Sequence, residues 1–161
     1  NKDYDNALTT YLKTLNLKPE IDKPEFRNVL LESLSRCADL YKVKNNYDEA
    51  IWYCQEFIKE DPTFREPYFL LGEMYNDMKM YTLAEAIVNA GFKYGTRKYI
   101  WIERADSWLG WGDDILSITY FNLGEYDKAL LNPFSIILLL NSSGSSILKN
   151  SNPSFSVNSV T

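Results

Sequence analysis

Two copies of one residue pattern stand 34 positions apart in this chain, and that spacing narrows the folds open to it. The first copy contains Tyr41, Tyr47 and Ala50, and the second contains Tyr75, Tyr81 and Ala84, each shifted by 34. A fixed period of roughly 20–50 residues marks stacked supersecondary units, each of which buries its apolar face only against its neighbours. The expectation is an all-α chain, an α-solenoid of antiparallel helix hairpins.

The finer periodicity supplies the helices. Tyr4, Ala7, Tyr11 and Leu15 recur every three or four residues, which is one helical face, and Lys18-Pro19 is predicted to end it. Ile21 to Pro24 reads as a connector. Phe26, Leu30, Leu34, Cys37 and Tyr41 mark a second helix, with Lys44-Asn45-Asn46 as its closing turn. Tyr47, Ala50, Ile51, Cys54, Phe57 and Ile58 form a third, stopped by Asp61-Pro62. Tyr68, Leu71, Met74 and Tyr75 make the next, with Lys79-Met80 in the turn. Tyr81, Ala84, Ile87 and Val88 follow, and Gly91 and Gly95 predict the stop. Residues from Thr96 to about Gly112 break the rhythm as an insertion. Helical periodicity returns at Ile115, Leu116, Thr119 and Tyr120, turns at Asn122 to Glu125, and restarts at Tyr126 and Ala129.

Composition removes whole classes of chemistry. There is no histidine in the 161 residues, so no Ser-His or Cys-His nucleophile pair and no imidazole metal ligand. The two cysteines, Cys37 and Cys54, are 17 apart and form no CxxC pair; both fall on apolar stripes and are expected to be buried free thiols. No phosphate-cradling loop or nucleophile signature is present, so the segment is expected to be no enzyme, with no cofactor and no metal. The net charge is −5 and the Lys and Arg residues form no basic stripe, which argues against nucleic acid or an anionic membrane as partner. Nothing marks the chain as secreted, and a cytoplasmic setting is expected.

After Leu131 the composition changes abruptly. Residues 132–161 hold one charged side chain, Lys149, whereas all 22 acids and the other 16 basic residues come before. The domain reading is therefore a helical region over 1–131, with partial first and last repeats and an insertion at about 96–112. A low-complexity, irregular C-terminal tail, expected to be disordered, covers 132–161. A shifted reading frame would account for this switch. The chain, which starts inside a helical pattern, reads as a piece of a longer protein.

The residues that carry the repeat resemble a known family, the tetratricopeptide repeat (TPR). Ala38, Tyr41, Tyr47, Ala50 and Pro62 fit one repeat, and Gly72, Tyr75, Tyr81 and Ala84 fit the next. Tyr4, Ala7, Tyr11 and Pro19 resemble the second helix of a truncated repeat, and Tyr120, Gly124, Tyr126 and Ala129 a further repeat broken at Pro133. The chain departs from the pattern in two linkers, where Tyr4 to Tyr47 spans 43 positions and Tyr81 to Tyr126 spans 45.

In such arrays the first helix of each hairpin lines a concave groove. Carried over, the resemblance implies Glu32, Ser35, Asp39 and Lys42 in one repeat and Glu66, Phe69, Glu73 and Asn76 in the next. The last supplies Trp111, Asp114, Ile118 and Phe121. The Lys, Asn and Arg set with which some TPR domains clamp a peptide carboxylate is absent. The implied groove is acidic with a few aromatics, suited to a basic or neutral protein or peptide; the alternative is a solvated acidic face. A narrower resemblance links Tyr99 to Glu103 and Trp111 to Leu116 with the TPR region that follows the catalytic domain of bacterial and phage family 2 glycosyltransferases.

The insertion is the segment that repeat packing does not demand. Trp101, Trp108 and Trp111 lie close in sequence to Glu103, Arg104, Asp106, Asp113 and Asp114. Aromatic faces beside carboxylates suit a sugar or a cationic peptide; alternatively the tryptophans fold the loop onto the helices while the charges solvate it. Adjacent residues on a helix point about 100° apart, so Asp113 and Asp114 suit a helix start better than a shared cation.

The functional expectation is a noncatalytic interaction or scaffold module that binds a protein partner or packs on a neighbouring domain. The alternative is an accessory arm of a family 2 glycosyltransferase. Small residues such as Ala84 let two helices approach closely. Ala84→Leu is therefore expected to overpack that contact and lower stability by about 1–3 kcal/mol, measured by urea unfolding.

Overall fold

The computed structural model describes residues 2–17, 26–96, 107 and 109–131, and among these residues the chain is all-α, with seven helices and no strand. They are α1 (Lys2–Asn16), α2 (Arg27–Val43), α3 (Tyr47–Glu60), α4 (Glu66–Asp77), α5 (Tyr81–Tyr94), α6 (Trp111–Leu123) and the single turn α7 (Tyr126–Ala129). The stop at Lys18-Pro19, the connector Ile21 to Pro24, most of the insertion and the tail 132–161 lie outside the described residues. No helix among those described is long and apolar enough to cross a membrane.

Local chemistry accounts for several helix ends. Pro67 occupies the first turn of α4, where its missing N–H and fixed φ cost nothing. Asp48 and Glu49 in the first turn of α3, with Lys59 in its last, oppose the helix dipole. Helix α5 ends at Tyr94 as the sequence predicts, but Gly95 is extended at φ −69° rather than left-handed, and the Thr96 N–H bonds to Thr63 O at 2.8 Å. The sequence places the return of helicity at Ile115, whereas α6 begins at Trp111. Gly110, at φ 110°, turns the chain into the helix, and Asp113 and Asp114 fill its first turn.

Each helix packs on the next in sequence, and the broadest contacts are α2 with α3 and α4 with α5. Only residues 44–46 separate the first pair and 78–80 the second, so helices in such extensive contact must run antiparallel. A second set of contacts skips one helix: α2 touches α4, and α4 touches α6.

The three turns share one geometry. In the first, the Asn46 N–H bonds to Tyr41 O at 2.9 Å and the Asn45 N–H to Lys42 O at 2.9 Å. In the second, Met80 bonds to Tyr75 O at 2.7 Å and Lys79 to Asn76 O at 2.9 Å. In the third, Glu125 bonds to Tyr120 O at 2.9 Å and Gly124 to Phe121 O at 3.1 Å. This is the Schellman arrangement, which satisfies two of the orphan carbonyls at a helix end and needs one left-handed residue. That residue is Asn45 at φ 57°, Lys79 at φ 61° and Gly124 at φ 79°. Each stands two positions ahead of Tyr47, Tyr81 or Tyr126, the first residue of the following helix.

One contiguous core runs from Leu8 of α1 to Ile115 of α6. Ala50, Ala84 and Ala129, three positions into α3, α5 and α7, are each 0% exposed, so there is no free space around these methyls. On the other helix of each pair, Ala38, Gly72 and Ser117 are also buried. A Cβ on Gly72 would lie 2.3 Å from Val88 Cγ2, which shows how closely α4 and α5 approach. Tyr41 stacks on Tyr53 with ring centroids 5.5 Å apart, and Tyr75 packs against the same core.

The shared turn makes a paired prediction. A Cβ at Gly124 meets nothing within 4 Å, so Gly124→Ala tests backbone strain alone and is expected to lower stability by about 1–2 kcal/mol. Lys79→Gly relieves the same strain at an exposed position and is expected to raise stability by up to about 1 kcal/mol. Urea unfolding of both variants against the parent chain measures the two opposite shifts.

Candidate functional site

The sequence assigns its candidate surface to one face of α2, α4 and α6, and the structure divides those residues by burial. Glu32 of α2 and Ile118 of α6 are exposed, Ile118 to 44%. Asp39, Lys42, Glu73, Asn76, Asp114 and Phe121 are half-buried. Ser35, Glu66, Phe69 and Trp111 are buried, with Glu66 at 3% and Phe69 at 0%. The last four residues therefore do not line an open surface, contrary to the groove that the sequence implies.

The burial of Phe69 has a specific cause. Its ring sits edge-on to Trp111 with centroids 5.7 Å apart, and tilted against Phe92 at 5.1 Å. Gly112 makes the room: a Cβ there would lie 2.6 Å from both Phe69 Cζ and Phe92 Cζ. Phe92 comes from α5 and Gly112 from α6, so the pocket for this ring is built by two helices other than its own. Trp111, which the sequence offers to a ligand, is the wall of that pocket.

The buried and half-buried polar residues bond to one another between helices. Ser35 Oγ donates to Glu66 Oε1 at 2.5 Å. Lys42 Nζ donates to Glu73 Oε2, and Trp111 Nε1–H donates to Glu73 Oε1 at 2.5 Å. Asn76 Nδ2 donates to Ile115 O at 3.2 Å, and Thr119 Oγ1 donates to Asn76 Oδ1 at 2.9 Å. Thr119, which the sequence places on the periodic face of this helix, is buried; Ser117, also buried, carries no signal in the sequence reading, though the 45-residue offset from Gly72 would have found it.

Two of the groove acids are thus engaged inside the fold. Glu32 and Asp39 remain accessible at 55% and 25% of their side chains, with Arg36 between them at 4.0 Å and 3.9 Å. Exposed pairs of this kind contribute about 0–1 kcal/mol and are screened by salt. Asp113 is exposed and Asp114 half-buried in the first turn of α6, where negative charge is favoured. Among the described residues no group of three or more His, Cys, Asp or Glu is placed to hold a metal ion.

The thiols are chemically quiet. Cys37 and Cys54 are free and buried. Burial pushes Cys37 up to about 11 and drives Cys54 well upward too. A thiol held protonated is a poor nucleophile at neutral pH.

Of the insertion candidates, Trp101, Glu103, Arg104, Asp106 and Trp108 lie outside the described residues. Trp111 is the one member that is described. No known protein family matches the chain, and no curated protein matches it.

Phe69 separates a core role from a surface role by measurement. Phe69→Ala is expected to cost about 3–5 kcal/mol in urea unfolding, whereas loss of a ring lining a solvated surface would cost about 0.5 kcal/mol or less.

Proposed function

We propose that this chain is a noncatalytic interaction module, a TPR-like α-solenoid whose first helices present a surface to a protein or peptide partner or to a neighbouring domain. The observation that supports the reading is the contact of α2 with α4 and of α4 with α6, the first helices of successive hairpins. A stack of hairpins that share one turn geometry and one small-residue contact is the arrangement expected of such a repeat. The partner is basic or neutral. On α2, α4 and α6, Lys42 is paired with Glu73; Glu32, Asp77 and Asp113 are exposed and Asp39 and Asp114 half-buried, offset in part by Arg36 and Arg27. Electrostatics of this kind steer encounter more than they set final affinity.

The accessory-arm reading draws on the tryptophan-rich insertion, and its one described aromatic, Trp111, is packed into the core. No specific observation favours it over the interaction module.

Peptide pools of basic, neutral and acidic composition, titrated against the full chain at low salt, test the proposal. Basic or neutral peptides are expected to bind, and the double variant Glu32→Lys with Asp113→Lys, both at exposed positions, is expected to weaken the basic pool several-fold at unchanged helix content. Equal binding of all three pools, or a basic pool insensitive to the double variant, defeats the electrostatic reading. The absence of binding from every pool defeats the peptide-binding reading altogether.

A further inference from the structure

The first helices of successive hairpins are joined by more than apolar contact. On α4, Glu66 and Glu73 stand seven residues apart, close to two turns, and so share a face. Both accept from α2, Glu66 from Ser35 and Glu73 from Lys42, and in each pair donor and acceptor are 31 residues apart. Glu73 uses both of its oxygens between helices. Oε2 takes the Lys42 ammonium of α2, while Oε1 takes the Trp111 indole N–H of α6 at 2.5 Å. A single carboxylate therefore bonds a helix on either side of its own. The Lys42 and Glu73 side chains keep 24% and 31% of their exposure, so solvent screens this contact in part. Trp111 keeps 8%, and a buried indole N–H that loses its acceptor has little water to turn to.

We propose that Glu73 is a coupling residue, whose shared carboxylate makes the seating of Trp111 on α6 depend on Lys42 of α2. The ammonium holds one oxygen and thereby fixes the plane of the carboxylate. The other oxygen is then aimed at the indole. Without Lys42 the carboxylate is free to rotate toward water, and the indole N–H loses an aligned acceptor. Asn76, three residues further along α4, bonds to Ile115 O and Thr119 at 3.2 Å and 2.9 Å. That second attachment keeps α4 and α6 together while the side-chain contact responds. The two outer helices thus sense each other through a residue belonging to neither.

Nitrogen-15 NMR of the indole N–H groups tests the coupling in the full chain. The Trp111 signal is identified by its loss in Trp111→Phe. Lys42→Met keeps the aliphatic stem and removes the charge. It is expected to shift the Trp111 indole resonance and to speed its hydrogen exchange by about fivefold, the low end of ordinary site-to-site coupling. Arg36→Met removes a charge from the same helix that bonds to other acids, and is expected to leave the signal in place. Glu73→Gln keeps an oxygen for the indole but loses the attraction for the ammonium, so adding Lys42→Met to it is expected to have no further effect. Lys42→Gln gives the same reading should Lys42→Met fail to fold. An unmoved Trp111 signal in a Lys42 variant of unchanged helix content overturns the proposal. An equal response to Arg36→Met, or a full Lys42→Met effect in the Glu73→Gln background, overturns it as well.

Discussion

The distance between the two helices of each hairpin sets everything that is built on them. Small residues at Ala50, Ala84 and Ala129 are fully buried, and a Cβ on Gly72 would lie 2.3 Å from Val88 Cγ2 across the α4 and α5 pair. Phe69 of α4 meets Phe92 within its own pair and Trp111 of α6 in the next, while Tyr41 stacks on Tyr53 inside its pair. Close packing inside a hairpin thus creates the surface by which hairpins join. Interiors at this density tolerate little added volume, so the same few positions govern both levels of assembly.

The turns serve the same end. A Schellman ending caps the first helix and reverses the chain within three residues, which fixes where the second helix starts. Because the left-handed residue precedes Tyr47, Tyr81 or Tyr126 by two positions each time, the small residue three places later always arrives opposite its partner helix. The register of the methyl contact is therefore inherited from backbone hydrogen bonds rather than negotiated by side chains.

Much of this is legible in the residues themselves. The spacing of Tyr and Ala, the turns at 44–46 and 78–80 and the stop at Asp61-Pro62 are local patterns, and local chemistry decides them. The start of α6 is less legible, because Trp111 and Gly112 read as the end of the insertion, ahead of a helix start at Asp113-Asp114, until Gly110 is seen turning the chain into the helix. The candidate surface is least legible of all. Whether Phe69 lines a groove or fills a pocket depends on Phe92 and Gly112, which lie 23 and 43 positions away and belong to other helices. Glu66 is hidden for a comparable reason, since its partner Ser35 is 31 residues distant. A periodic pattern tells which side of a helix is special, but not which residues on that side will be covered by the next hairpin.

The position of the two thiols gives the molecule an internal asymmetry. Both belong to α2 and α3, and the helices that follow carry no sulfhydryl at all. When hairpins hold together mainly through their nearest neighbours, opposite ends can loosen at different rates. An alkylating reagent would then record the opening of one end only, so the chain carries a clock for its amino-terminal half and none for the rest.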